Sequence, residues 1–205
     1  AGIEVLARVN TLCLDKTGTL TLGTLRVADV IRLDPEGSPA PPVVAETALA
    51  AVVGAFDDRN ATASVLANHF GPGPDWTILA GKPFSSARKY SGVSFDPEES
   101  YLLGAPEFIL GDEYEKHKVT IEPFSAQGYR VLLLAMSDGI PEAGENPKGP
   151  VPIALLLLYN KIRSEAPEAF RYFAKQGVTI KVISGDHPIT VSEVAKRAGI
   201  ENAEK

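Results

Sequence analysis

The sequence predicts an α/β fold carrying an inserted α+β region, and three observations lead there. Val9–Asp15 is a short apolar run with β-branched residues that stops at the turn-prone Lys16-Thr17-Gly18. The last quarter reads strand, helix, strand, helix, the pattern of an open α/β sheet. The stretch between them holds a hairpin pattern and helices without that alternation. One domain inserted into another is the simplest account.

Taken in order, Val9–Asp15 is a buried strand, Leu25–Leu33 a second strand, and Asp34–Pro42 a loop rich in Pro and Gly. Val43–Phe56 is rich in Ala and Val at helical spacing, and Thr62–Phe70 continues as helix after a polar break at Asp57–Asn60. Tyr90–Phe95 and Tyr101–Leu103 flank Asp96-Pro97-Glu98-Glu99, which reads as a hairpin. Pro106–Leu110 is a short helix with proline in its permitted first turn, and Glu113–Ala126 is a second one interrupted by Pro123. Arg130–Ser137 is a strand, followed by a loop over Asp138–Pro150. Val151–Tyr159 is continuously apolar, like strands buried on both faces of a parallel sheet. Ser164 is placed to cap a helix running to Gln176, which Gly177 ends. Val178–Ser184 is a strand, and Ile189–Ala198 a helix ended by Gly199. The strands ending at Asp15, Tyr159 and Ser184 are therefore expected in one parallel sheet, with Asp15 and Asp186 together at its C-terminal edge.

Composition narrows the function. The chain has 205 residues, enough to bury a sizeable core, with 44% hydrophobic and 22% charged residues, the profile of a soluble globular protein. Twenty Lys and Arg against 26 Asp and Glu leave a net charge of −6, which argues against a nucleic-acid partner. A lone cysteine, Cys13, permits no internal disulfide and no thiol-based metal cage. The longest apolar run, Val151–Tyr159, contains Pro152 and falls short of the roughly 18–20 residues that cross a bilayer. No secretory signal leads the chain. Its first residue is Ala1, which fits a processed chain or a piece of a longer one, and the second is expected.

Two strand ends carry the chemistry. Asp15 closes an apolar strand and opens a Gly-containing turn, where open α/β sheets place their ligands. Backbone N–H groups in such a turn hold phosphate oxygens, and a carboxylate there is a nucleophile for phosphorus. Asp-x-x-Gly is equally an ordinary turn. Ser184-Gly185-Asp186 ends the later strand, where a hydroxyl and a helix N-terminus suit a phosphate, or where the same residues merely cap a helix. His187 has no second ligand nearby in the sequence and reads as a turn residue.

The string Asp15-Lys16-Thr17-Gly18-Thr19-Leu20-Thr21 resembles the phosphorylation signature of P-type ATPases, ion pumps that form an aspartyl-phosphate. The resemblance implies an incomplete haloacid dehalogenase-like, Rossmann-like phosphorylation domain with an inserted α+β nucleotide-binding domain on an antiparallel sheet. It implies a catalytic set of Asp15, Lys16, Thr17, Ser184, Gly185 and Asp186, with Asp15 and Thr17 also holding Mg²⁺. Phosphatases of that superfamily carry a second carboxylate at the position of Thr17, so the acyl-phosphate is expected to persist here. Pro83-Phe84 with Arg88-Lys89, Gly104-Ala105-Pro106-Glu107 and Gly128-Tyr129-Arg130 resemble the pumps' nucleotide site. They imply an adenine stack on Phe84, with Lys89, Gly104 and Arg130 around ATP. Leu103 and Ala63 stand where the pumps have a lysine and an acid, so a less polar pocket is expected. Asn160-Lys161-Ile162-Arg163 resembles the pumps' Asp-Pro-Pro-Arg only at Arg163, which the resemblance assigns to ATP.

The domain division expected from this resemblance is 1–27 and 151–205 for phosphorylation and 28–150 for nucleotide binding. Ala1–Arg8 resembles the approach from a membrane helix. A Gly-Asp-Gly-x-Asn-Asp motif and its upstream lysine are expected beyond Lys205, and the isolated chain is expected to be inactive. The implied partners are ATP with Mg²⁺, transmembrane and actuator domains of the same polypeptide, and a transported cation, at the cytoplasmic face of a membrane. No His-Pro pair occurs in the inserted region, which points to calcium- or magnesium-pump-like relatives over heavy-metal ones. A free-standing phosphohydrolase of the same superfamily and a non-catalytic nucleotide-binding module are the alternatives.

Overall fold

The computed structural model describes residues 9–33, 45–57, 60–97, 99–142, 144–185 and 188–203. The expectations for Ala1–Arg8, for the loop Asp34–Pro42, and for Asp186 and His187 lie outside these described residues. In chain order the strands are β1 (Thr11–Asp15), β2 (Thr21–Arg32), β3 (Ile78–Lys82), β4 (Tyr90–Phe95), β5 (Glu99–Gly104), β6 (Arg130–Ser137), β7 (Val151–Ile162) and β8 (Thr179–Ile183). The α-helices are α1 (Ala45–Gly54), α2 (Ala61–Phe70), α3 (Pro106–Leu110), α4 (Tyr114–Ala126), α5 (Ala166–Lys175) and α6 (Pro188–Arg197). A π-helical turn, Lys16–Leu20, joins β1 to β2. The chain divides into two compact units.

The first unit comprises Ala1–Arg26, Phe124–Tyr129 and Tyr159–Lys205. Here β1 pairs in parallel with β8, from Thr11 opposite Thr179 to Asp15 opposite Ile183. Side chains alternate with a period of two. Leu14, Ile180 and Val182 pack onto a core of Leu20, Ala166, Phe170, Ala195, Ala198 and Ile200, while Cys13, Asp15, Lys181 and Ile183 stay exposed. Ala166 and Phe170, four residues apart, share one face of α5. Ser164 does not cap that helix. Glu165 occupies the N-cap position without a side-chain hydrogen bond, because Pro167 in the first turn sets the start instead. The end of α4 also belongs to this unit: the Arg197 guanidinium donates to the Gln127 carbonyl at 2.6 Å and lies 5.8 Å from the centre of the Tyr129 ring.

The second unit, Val27–Pro123 with Arg130–Leu158, is built on a six-stranded sheet in the order β2-β7-β6-β5-β4-β3. The β4–β5 hairpin forms where expected, with β5 extended at both ends. One expectation fails here. Val151–Tyr159 does not join β1 and β8; it pairs antiparallel with β6, from Arg130 opposite Leu158 to Met136 opposite Val151. An apolar run reports that both faces are covered, not which way the neighbour runs. Among the described residues the connection from β6 carries no helix, and a parallel return would need a crossover, usually helical. Strand β3 was not expected at all, because it is an exposed edge of five residues with no apolar alternation. A register shift and Lys82 blunt that edge.

Helix α1 is buried almost all round, with Ala45, Ala48, Leu49, Ala50, Ala51, Val52 and Val53 in the core. The following segment runs hard against it: a Cβ on Gly73 would lie 2.7 Å from the Ala50 carbonyl oxygen. Trp76 meets Phe95 edge-on at 5.3 Å and stacks near Tyr101 at 6.3 Å. The fully buried Tyr101 donates its hydroxyl to Glu99 at 2.7 Å, and burial followed by that carboxylate pushes its phenol well above the usual tyrosine range.

Candidate functional site

In the first unit, Asp15 is the last residue of β1, exposed where the parallel pair ends. The chain then turns through Lys16–Leu20. Gly18 adopts φ +83°, a left-handed conformation that costs a side-chain-bearing residue and not glycine. Thr21, fully buried, ties the turn from inside: its hydroxyl donates to the Lys16 carbonyl and accepts from the Gly18 N–H, each at 3.4 Å. Leu20 anchors the far end in the core, and Lys16 is buried too. The backbone N–H of Arg163 donates to the Leu20 carbonyl at 3.1 Å, and its guanidinium donates to the Gly18 carbonyl at 2.8 Å. Ser184 is half-buried and Gly185 exposed just beyond β8, the strand paired with β1.

The described residues hold no cluster of three His, Cys, Asp or Glu side chains able to cage a metal. Mg²⁺ is usually held by one or two carboxylates plus waters and substrate phosphates. An exposed carboxylate at Asp15 fits that share of the ion's needs.

In the second unit a cavity of about 390 Å³ opens between α1, the start of α2, the turn after β3, and strands β4, β5 and β6. Small-molecule sites run to roughly 300–1,000 Å³. Its walls are mainly apolar, from Val53, Phe56, Leu66, Leu103 and Leu132, with Asn60, Thr62, Ser86, Ser91 and Arg130 as polar points. Phe84 and Gly104 line it as well. Phe84 is 42% exposed, a ring with an open face. Asn60 accepts from the Ala63 N–H at 2.9 Å as the N-cap of α2, which sets the helix start at the cavity. Three residues expected around ATP, Phe84, Gly104 and Arg130, thus share one cavity. Lys89 does not line it and is exposed.

The turn that presents Phe84 is closed by Arg88, whose guanidinium donates to the Pro83 carbonyl at 2.7 Å, and by the Lys89 N–H donating to the Ser85 carbonyl at 2.7 Å. Opposite Tyr90, where that turn returns onto the sheet, lies Gly104 at the end of β5. A Cβ there would lie 2.3 Å from the Lys89 carbonyl oxygen and 2.4 Å from the Tyr90 Cα. Sequence reasoning missed the wall from α1 and the closing role of Arg88. The Ala- and Val-rich run signalled a buried helix but not what it faces.

The Lys82 ammonium bonds the Pro141 carbonyl at 3.0 Å and pairs with Glu142 at 2.8 Å. That hydrogen bond and charge hold the Glu142 carboxyl below the usual glutamate range. A depressed carboxyl contributes stability above its unfolded pKa and loses it as pH falls through the folded one. Glu142 itself is exposed, so the effect on stability is small. A ¹³C NMR titration is expected to show Glu142 titrating below an ordinary glutamate, and Lys82→Met to return it to the ordinary value.

Residues 9–204 match the family model described as haloacid dehalogenase-like hydrolase. The chain belongs to that family. Its relatives narrow the class: it is 42% identical over 198 residues to the calcium-transporting ATPase CtpE of Mycobacterium tuberculosis (strain CDC 1551 / Oshkosh), covering 97% of this chain and 24% of that protein. It is 34% identical over 203 residues to the probable cation-transporting ATPase exp7 of Streptococcus pneumoniae serotype 4, covering 96% of this chain and 25% of that protein. The chain thus spans about a quarter of the length of these relatives. Among solved structures, a zinc-transporting PIB-type ATPase in the E2.Pi state matches with a TM-score of 0.66 at 21% identity, over 97% of this chain and 29% of that one. That likeness shows the fold alone. The motif resemblance to P-type ATPases is borne out by these relatives. Among the described residues no helix is long and apolar enough to cross a membrane.

Proposed function

We propose that this chain is the cytoplasmic ATP-binding and phosphorylation region of a cation-transporting P-type ATPase, with phosphorylation in the unit that holds β1 and β8 and nucleotide binding in the unit built on the six-stranded sheet. The observation that carries the reading is Asp15 exposed at the end of β1, opening a turn tied from within by Thr21. An Asp15 carboxylate oxygen attacks the γ-phosphorus of ATP; the new O–P bond forms as the bond to the β–γ bridging oxygen breaks, and ADP leaves. Such a transfer relies on positioning and charge neutralisation more than on covalent chemistry by the protein. Mg²⁺ would supply part of that neutralisation, with Asp15 among its ligands. Thr17 offers no carboxylate to activate water, which supports an acyl-phosphate that lasts long enough to drive transport. Ser184, Gly185 and Asp186 are proposed to bind the phosphoryl group, and Lys16 to take part in the same catalytic set. The transported cation and the membrane and actuator domains belong to the complete polypeptide.

The cavity beside Phe84 supports adenine binding there, with Gly104 and Arg130 in contact with the nucleotide and Lys89 near its charged end. Base stacking on an aromatic ring contributes about 1–3 kcal/mol in nucleic-acid complexes. ATP titration of this chain by NMR is expected to shift resonances lining the cavity, and Phe84→Ala to weaken binding roughly tenfold or more. Equal affinity in Phe84→Ala places the base elsewhere.

A further inference from the structure

We infer that Arg163 is a positioning residue for the phosphorylation turn, acting through the backbone of Gly18 and not by touching nucleotide. The inference rests on the reading of Asp15 as the phosphoryl acceptor. Arg163 follows directly on β7 and reaches the turn twice. Its main chain bonds the Leu20 carbonyl at 3.1 Å and its side chain bonds the Gly18 carbonyl at 2.8 Å, across 145 residues of sequence. Leu20 is fully buried, and Ile162, next to Arg163, packs on the same core cluster. The arginine's main chain is therefore fixed, and its guanidinium is held over the middle of the turn.

The turn needs such a clamp. The start of the turn is anchored by the buried Lys16, but between it and the buried Leu20 lie Gly18 at φ +83° and Thr19, both exposed and with little packing of their own. Thr21 secures the Lys16 carbonyl through its backbone N–H as well as its hydroxyl, whereas the Gly18 N–H has only a long bond of 3.4 Å to that hydroxyl. The charged bond from Arg163 is the shorter one and holds the peptide after Gly18, three residues beyond the nucleophile. A guanidinium spent in this way has a role at the acceptor. Arg163 is also not among the residues that line the cavity beside Phe84. In-line transfer depends on near-attack geometry, where a misplacement of about 1 Å costs on the order of 10²-fold in rate.

Two measurements test the inference. The first uses this chain labelled with ¹³C and ¹⁵N, as wild type, Arg163→Ala and Arg163→Lys. Loss of the charged bond is expected to move the Gly18 carbonyl and Thr19 amide resonances and to speed amide exchange across the turn about tenfold or more. The midpoint of ATP titration, read at the Phe84 cavity, is expected to stay unchanged. The lysine variant keeps the charge but not the planar fork, and is expected to restore the turn only in part. The second measurement follows acid-stable phosphorylation of the complete polypeptide by radiolabelled ATP. Arg163→Ala is expected to slow labelling at saturating ATP by about 10–100-fold with an unchanged ATP midpoint.

An unmoved Gly18 carbonyl in Arg163→Ala overturns the inference, as does a raised ATP midpoint with an undiminished maximal rate. Absence of label on the wild-type polypeptide overturns the reading of Asp15 itself. The positioning role falls with it, even where the carbonyl shift shows that the clamp exists.

Discussion

Asp15→Asn is expected to abolish phosphorylation of the complete polypeptide while leaving the fold intact. The side chain is exposed at the end of β1 and has a near-isosteric replacement in asparagine, so stability should change by no more than about 0.5 kcal/mol. The chemistry changes far more. The amide's lone pair is delocalised and uncharged, and it offers phosphorus no useful nucleophile. Removing a covalent nucleophile costs on the order of 10⁶ in rate, well past detection in an ordinary assay. The measurement is acid-stable, hydroxylamine-sensitive label from radiolabelled ATP, alongside a thermal melt of the same variant. Label that survives in Asp15→Asn assigns the phosphoryl group to another residue.

The second large effect belongs to Gly104. A Cβ at this position would stand 2.3 Å from the Lys89 carbonyl oxygen, 2.4 Å from the Tyr90 Cα and 2.5 Å from the Tyr90 Cβ. Two of those three atoms are backbone, and Tyr90 is opposite Gly104 in the β4–β5 pairing, so no side-chain rotation relieves the contact. Gly104→Ala therefore has to shift β4 or the turn that presents Phe84. Overpacking of this kind costs about 3 kcal/mol, at the upper end of its usual range. A loss of that size lowers Tm by about 6–12 °C in a chain of this length. Gly104 also lines the cavity, so ATP affinity is expected to fall in the fraction that remains folded. Gly54→Ala is the matched control. Its Cβ would meet only the Gly73 nitrogen at 3.9 Å, an ordinary contact, and its stability should hold or rise slightly. A Gly104→Ala chain as stable as the control would mean that β4 and β5 are not packed this closely.

The contrast between these two residues marks what could be read in advance. Asp15 announced itself because its seven-residue string is chemically specific and local: strand, carboxylate and turn are contiguous. Hairpin β4–β5 and helix α3 were legible for the same reason, since turn residues and a first-turn proline act over a few positions. Gly104 was singled out from a motif, yet its reason for being glycine lies in the Lys89 and Tyr90 backbone, fifteen and fourteen positions away.

What the sequence determined by itself was the family, the position of the candidate acceptor Asp15, the presence of an α/β and an antiparallel part, and most element positions. These follow from local pattern and from a motif that chance seldom produces. Tertiary structure decided the rest. It gave β7 an antiparallel partner in β6, because hydrophobicity encodes burial and carries no direction. It put Val53 and Phe56 of the α1 region into the wall of the Phe84 cavity, since an all-round apolar helix does not reveal which neighbour it faces. It turned Arg163 toward the Gly18 carbonyl, because a long side chain's partner is set by whichever backbone the fold brings within reach, here 145 residues away.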